Sequence, residues 1–192
     1  MIRLSHVTKQ FGDKTVLNDF SLEIGTPGIT AVTGKNGSGK TTLLRIIAGL
    51  DKKYSGEVIT GSRISYVFQD CRLVPTLTAL ENIALVLDRG QRTEAFRWLT
   101  AVGLEAEADS LPDSLSGGMK QRIALARAFA YGGDVLLLDE PFSALDVEWK
   151  QRMMNAVLDY SHCHLVILVT HDPAELAFLS CKTVCLDGSS AQ

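Results

Sequence analysis

Nine residues, Gly-Lys-Asn-Gly-Ser-Gly-Lys-Thr-Thr at 34–42, limit what this chain can become more than any other stretch. Residues 34–41 fit the pattern G-x-x-x-x-G-K-[ST]. Ahead of them lies the apolar run Gly-Ile-Thr-Ala-Val-Thr at 28–33. Behind them Leu43, Leu44, Ile47 and Leu50 recur at helical spacing, which predicts a helix with all four turned inward. A strand, a glycine-rich turn and a helix, in that order, form a cradle for phosphate. Gly34, Gly37 and Gly39 let the backbone curl so that successive N–H groups point inward. The helix start adds unpaired donors and partial positive charge. In such a cradle Lys40 meets the outer phosphates, Thr41 offers a hydroxyl to Mg²⁺, and Thr42 offers another to a phosphate. Asn36 and Ser38 complete the loop.

The flanking text supplies a sheet for this loop. Residues 1–24 read as short strands around the turn Phe11-Gly12-Asp13-Lys14, with Leu17, Phe20, Leu22 and Ile24 marking strand faces. Strands are expected near 56–60 and 63–68. Residues 70–132 read as mainly helical, with helices over 79–87, 92–102 and 117–131. Strand and helix then alternate: 135–139, 146–160, 164–171 and 173–179, with a last strand in Thr-Val-Cys-Leu-Asp at 183–187. Short, very apolar strands between helices mean a parallel sheet covered on both faces. The expected fold is therefore α/β: a mainly parallel sheet flanked by helices, an antiparallel β part at the N-terminus, and a helical subdomain inserted at about 70–132. Residues 1–192 form a single domain in this reading.

Two further stretches bear chemistry. Val-Leu-Leu-Leu-Asp-Glu at 135–140 is an apolar strand ending in two acids. Strand alternation sends Asp139 and Glu140 to opposite faces, so that one organises Mg²⁺ while the other meets a water. Leu-Ser-Gly-Gly-Met-Lys-Gln-Arg at 115–122 is a second candidate anion cradle. Ser116 is placed as the N-cap, and Gly117 and Gly118 allow close approach to a phosphate. Met119, Ile123 and Ala126 mark the inward face of this helix, with Lys120, Arg122 and Arg127 elsewhere on it.

Charge and cysteine content narrow the function classes. A net charge of −3 argues against binding nucleic acid through bulk positive charge. No apolar run approaches the ~18 residues of a membrane-spanning helix, and residues 1–10 have no apolar signal core, so a cytoplasmic protein is expected. The four cysteines, Cys71, Cys163, Cys181 and Cys185, are expected as reduced, buried thiols, because with His162 and His164 they match no compact zinc spacing.

Taken together, these stretches resemble the nucleotide-binding subunits of ABC transporters over nearly the whole chain. Beside the phosphate loop stand the signature at 115–122, the Walker B segment Val-Leu-Leu-Leu-Asp-Glu-Pro at 135–141, and a D-loop, Ser143-Ala144-Leu145-Asp146. His171 matches the switch histidine, Gln69 the Q-loop, and Phe11 the aromatic that stacks on adenine. Tyrosine is common at that last position; phenylalanine keeps the π-face and loses the hydroxyl. The text at 67–87 and 115–129 is most similar to importer subunits of the nitrate, sulfonate and taurine type.

The resemblance implies a P-loop ATPase. ATP and Mg²⁺ are its ligands, and Thr41, Gln69 and Asp139 gather around the metal. Glu140 is the base, with Lys40, His171 and Gln69 as further catalytic groups. It also implies a head-to-tail pair in which Ser116, Gly117 and Gly118 of one copy reach the ATP held by the other. Implied partners are thus a second copy, integral membrane permease subunits and a solute-binding protein, with no nucleic acid. The implied location is the cytoplasmic face of the membrane, held through the permease. The apolar loop at 71–78, directly after Gln69, is the expected permease contact. No regulatory domain is expected after 187. The rival classes are a soluble ABC-type ATPase without a permease and a non-catalytic nucleotide-dependent assembly module. Intact Lys40, Asp139, Glu140 and His171 argue against the latter.

Overall fold

A computed structural model of the chain describes residues 1–60 and 63–186. Strand β1 (Ile2–Phe11) pairs antiparallel with β2 (Lys14–Ile24) and with β4 (Ser55–Ile59), giving a small sheet in the order β2-β1-β4. A second sheet holds β3 (Gly28–Thr33), β5 (Ile64–Val67), β6 (Val135–Asp139), β7 (Leu165–Val169) and β8 (Lys182–Cys185). Its order is β5-β6-β7-β3-β8, and every pair in it is parallel. The final Asp187 of the expected last strand lies outside the described residues.

Side-chain alternation builds two cores from the same strands. Leu136, Leu138, Val166 and Leu168 face one way, into a core shared with the helices of 79–161. Val135, Leu137, Ile167 and Val169 face the other way, against helix α1 (Lys40–Ile47) and the antiparallel sheet. Strands buried on both faces need no polar positions, which is why they read as unbroken apolar runs.

Between β5 and β6 lie α2 (Ala79–Ala84), α3 (Arg92–Ala101) and α4 (Gly117–Tyr131), and these pack on one another. After β6 come α5 (Val147–Ser161) and, beyond β7, α6 (Pro173–Leu179). Helix α2 opens with a capping box between Thr78 and Glu81 but stops at Ala84, short of the expected 87. Helix α1 ends at Ile47, and the chain reverses at Gly49, whose φ is +70°, so Leu50 turns outward rather than inward. Among the described residues no helix is long and apolar enough to cross a membrane.

Helix α4 departs most from its expected pattern. It is buried on nearly all sides, because the sheet, α2 and α3 enclose it and Trp149 of α5 covers its first turns. Arg122, expected away from the core, is buried. Its Nη1 donates to the Val102 carbonyl at 2.7 Å, and its guanidinium lies 4.2 Å from the Trp149 ring centroid. Gln121 is buried too and accepts from the Cys71 thiol. The cysteines are free, but Cys163 and Cys185 are exposed and the other two only half-buried, against the expectation of four buried thiols.

The loop at 71–78 has an internal anchor. Asn82 is fully buried. Its Nδ2 donates to the carbonyls of Val74, Leu77 and Thr78 at 3.0–3.1 Å, and its Oδ1 accepts from Val74 N at 2.8 Å. Leu73 packs against the main core, so part of the loop's apolar character is explained without a partner. Asn82→Asp removes the amide donors and sets a carboxylate against three carbonyls. It should destabilise the chain by ~3 kcal/mol or more, read by urea unfolding. A loss below about 1 kcal/mol would show that Asn82 is not the anchor.

Candidate active site

Loops following β3, β5, β6 and β7 meet in one open cleft of about 920 Å³. After β3, residues 34–39 curl to the start of α1. Gly39, the N-cap residue, has φ +103°, and a Cβ there would sit 3.0 Å from the Val16 carbonyl, so glycine suits both the backbone and the space. No side chain caps α1, which leaves its first N–H groups for a ligand. Lys40 is 8% exposed, and its Nζ donates to the carbonyls of Gly34 and Lys35 at 2.8 and 3.1 Å. The ammonium therefore closes the loop on itself until an anion offers better acceptors.

Of the expected residues, Phe11, Gly34, Asn36, Gly37, Gly39, Lys40, Thr41, Thr42, Gln69, Asp139, Glu140 and His171 all line this cleft. Ser38 does not; its hydroxyl is buried without a hydrogen-bond partner. Phe11 is 53% exposed at the cleft's edge, with Lys9 Nζ 4.6 Å from its ring centroid. Lys14 and Val16 of β2 also line the cleft, although as a turn lysine and a strand valine they carried no motif.

The two acids do not part to opposite faces. Strand β6 ends at Asp139, and Glu140 has φ +49°, which breaks the alternation and returns its carboxylate to the same cleft. Glu140 N still donates to the Val169 carbonyl at 2.9 Å, so the turn is fixed to β7. His171 Nδ1 stands 3.2 Å from Glu140 Oε1. A carboxylate only accepts, so Nδ1 carries the proton here and Nε2 is left for a ligand.

Asp139 is 2% exposed. Burial lifts its carboxyl above the ordinary carboxylate range. The Thr41 hydroxyl works against that rise, and the neighbouring Glu140 charge adds to it. A poorly solvated carboxylate beside a hydroxyl, at the mouth of a phosphate-shaped loop, suits a small hard cation with oxygen ligands. Gln69 lines the same cleft and adds an amide oxygen.

The segment after Gln69 carries strain and a clamp. Cys71 and Arg72 have φ of +57° and +43°, conformations that cost of order 1–3 kcal/mol each. Arg127 of α4 donates to the carbonyls of these same two residues at 3.1 and 2.9 Å, and to Asn82 Oδ1 at 3.3 Å. Read from the sequence, Arg127 is only a charge off the inward face of α4 and Asn82 carries no assignment; no motif points to this clamp.

Ser116, Gly117 and Gly118 lie elsewhere. Ser116 caps α4 as expected, accepting from Met119 N at 3.3 Å. A Cβ on Gly118 would fall 2.8 Å from the Ala144 carbonyl. The second cradle thus packs against the loop at 143–146 of its own chain, outside the first cleft.

Known proteins resemble this chain in sequence and in fold. The family model described as ABC transporter matches residues 17–143. An aliphatic sulfonates import ATP-binding protein of Xanthomonas axonopodis pv. citri is 39% identical over 97% of this chain and 67% of its own length. Its counterpart in Granulibacter bethesdensis is 42% identical over 97% of this chain and 80% of its own. Among solved structures, a dimeric ATP-binding cassette in a post-hydrolysis state, bound to ADP and Pi, superposes with a TM-score of 0.89 at 32% identity. That likeness covers 100% of this chain and 97% of the other.

The raised pKa of Asp139 has a sign that can be tested. A native carboxyl pKa above its unfolded value means that ionised Asp139 costs stability near neutrality, a cost that fades as the pH falls through the carboxylate range. Without nucleotide or divalent ion, Asp139→Asn should melt at least as high as the unaltered chain at pH 7. Its advantage should shrink on acidification. A melting point several degrees lower at pH 7 would contradict this account of the site.

Proposed function

Because the chain belongs to the ABC transporter family, we propose that it is the ATP-hydrolysing subunit of an importer whose two cradles serve two different ATP molecules. One division in the fold carries this reading. Lys40, Thr41, Asp139, Glu140 and His171 converge on one cleft, while Ser116, Gly117 and Gly118 of the same chain lie outside it, with Gly117 and Gly118 beside Ala144. A second copy, packed head to tail, supplies the missing cradle. The dimeric state of the cassette this chain resembles supports that arrangement.

The reaction is ATP + H₂O → ADP + phosphate. The water oxygen bonds to the γ-phosphorus, the bond from that phosphorus to the β–γ bridging oxygen breaks, and the water proton passes to Glu140. Phosphoryl transfer asks for positioning and charge neutralisation more than for covalent chemistry. Lys40 leaves the carbonyls of Gly34 and Lys35 for the outer phosphates, and the amides of 34–42 cup them. Thr41, Asp139 and Gln69 would hold Mg²⁺, which would supply charge neutralisation to the phosphates. Phe11 stacks on the base, and Thr42 bonds a phosphate. His171, with Nδ1–H on Glu140, offers Nε2 to the water or, as imidazolium, an N–H to the γ-phosphate. The partner's signature, its copy of 116–118, closes over that phosphate.

The names of the relatives support import, a membrane permease as partner and an aliphatic sulfonate as cargo. They do not favour a soluble ATPase without a permease. A solute-binding protein completes the proposed importer, and the permease holds this chain at the cytoplasmic face of the membrane. The permease chooses no residue of the ATP cleft; its proposed seat is the loop at 71–78, next to Gln69. The chain acts as one ATP-binding domain, with 70–132 as its helical arm.

Two experiments test this reading. Glu140→Gln keeps size and hydrogen bonding but removes the base. It should bind ATP normally, lose ~10²-fold or more of its turnover, and accumulate as an ATP-bound dimer; near-normal turnover would remove Glu140 from that role. Ser116→Arg and Lys40→Ala subunits should each be inactive alone. Mixed, they rebuild one composite site, from the first subunit's phosphate loop and the second's signature, and should regain measurable ATPase. An ATP-bound structure with Ser116 on its own chain's γ-phosphate would refute the trans arrangement.

A further inference from the structure

His171 sits between two residues that are locked by a cluster no motif points to. Thr170 is buried; its hydroxyl donates to Glu175 Oε2 at 2.5 Å and accepts from Asp172 N at 3.1 Å. Asp172 caps α6 with one carboxylate oxygen, accepting from Ala174 N at 2.8 Å, and accepts from Lys150 Nζ with the other at 2.5 Å. Glu175, 4% exposed, spends its second oxygen on the same Lys150 Nζ at 2.7 Å. Lys150 belongs to the first turn of α5, where its backbone N–H donates to the Asp146 carbonyl. One ammonium, rooted beside the loop at 143–146, thus fixes the chain on both sides of His171.

The cluster borders the chemistry. Glu140, Ser143, Lys150, Thr170, His171 and Glu175 share a cavity of about 220 Å³. Hydrogen bonding to Lys150 holds Asp172 below the ordinary carboxylate range, so the pair is ionised at neutral pH. Two carboxylates, one of them almost wholly buried, sharing one ammonium is more than packing requires. Apolar residues of similar volume commonly serve as well or better in stability. What apolar residues cannot do is fix a hydroxyl, an N–H and a carboxylate in defined directions around one loop residue.

We propose that Lys150, through Glu175, Thr170 and Asp172, is a positioning residue for His171 in ATP hydrolysis. It holds the imidazole where Nδ1 meets Glu140 and Nε2 meets the ligand, and it fastens that placement to α5. This rests on the proposed role of His171. A positioning role predicts an effect on turnover rather than on nucleotide affinity, because neither Lys150 nor Glu175 lines the ATP cleft.

The test uses the full chain, with ATP turnover and ATP binding measured separately. Lys150→Met should lower kcat by about 10-fold or more while KM and the Kd for ATP move less than about 2-fold; Lys150→Arg should restore most of the rate. In a His171→Ala background, Lys150→Met should cause no further loss, since the group it positions is gone. Lys150→Met leaves Glu175 buried and unpaired, so the charge-balanced pair Lys150→Met/Glu175→Gln is the second variant, with the same kcat defect expected at a near-native melting temperature. Full turnover in either folded variant, a loss carried by KM, an additive loss in the His171→Ala background, or failure of every variant to fold would overturn the proposal in favour of a purely structural cluster. If His171→Ala itself turns over ATP normally, the failure lies with the assignment of His171 and not with the cluster.

Discussion

Parallel pairing of β5, β6, β7 and β3 is the constraint on which the rest of the molecule depends. Strands that run the same way deliver their following loops to the same edge of the sheet. The phosphate loop follows β3, Gln69 follows β5, Asp139 ends β6 with Glu140 just beyond it, and His171 follows β7. Residues more than 130 positions apart in the chain therefore meet without any of them having to cross the core. The requirement on the strands is severe, because both faces are buried. They meet it with residues that do nothing else, and all the chemistry is displaced to their carboxyl ends.

What was legible in the chain was what is written locally. The phosphate loop announces itself through glycines between a strand and a helix, and the limits of α4 and α6 follow from Ser116, Gly132 and Pro173. The direction of Glu140 was not legible: strand alternation is a rule for residues inside a ladder, and Glu140 is the first one past its end. Arg122 was misread, and the burial of Gln121 was not legible, for a different reason. A helix enclosed on nearly all sides buries polar residues wherever a long-range partner exists, and neither the Val102 carbonyl nor the Cys71 thiol is a helical neighbour. Asn82, Lys150 and Glu175 likewise look like ordinary helix residues, because what makes them matter includes partners off their own helices, such as Val74 for Asn82 and Glu175 for Lys150. Leu50 shows the opposite error, a helical period extended past the glycine that turns the chain away from the helix.

The site holds its groups under constraint before any ligand arrives. Glu140, Cys71 and Arg72 all keep left-handed backbone without being glycine, and each is tied by hydrogen bonds to a neighbouring element. Lys40 is occupied by two carbonyls, and Asp139 carries a charge it solvates poorly. Each of these is relieved or exchanged by a polyanion arriving with a cation. Ligand binding therefore draws on interactions already oriented, and little of its free energy goes to ordering loose loops.

The clamp from Arg127 to the carbonyls of Cys71 and Arg72 joins the segment after Gln69 to α4, and Ser116 caps the start of α4. A guanidinium fork is stiff, and so is a 15-residue helix. The Gln69 segment and the signature are therefore joined through one guanidinium and one helix, with no loop between them. In the proposed pair the far end of that helix rests on the other copy's nucleotide. In such a pair, what sets the segment beside one nucleotide would also bear, through that helix, on the surface offered to the other.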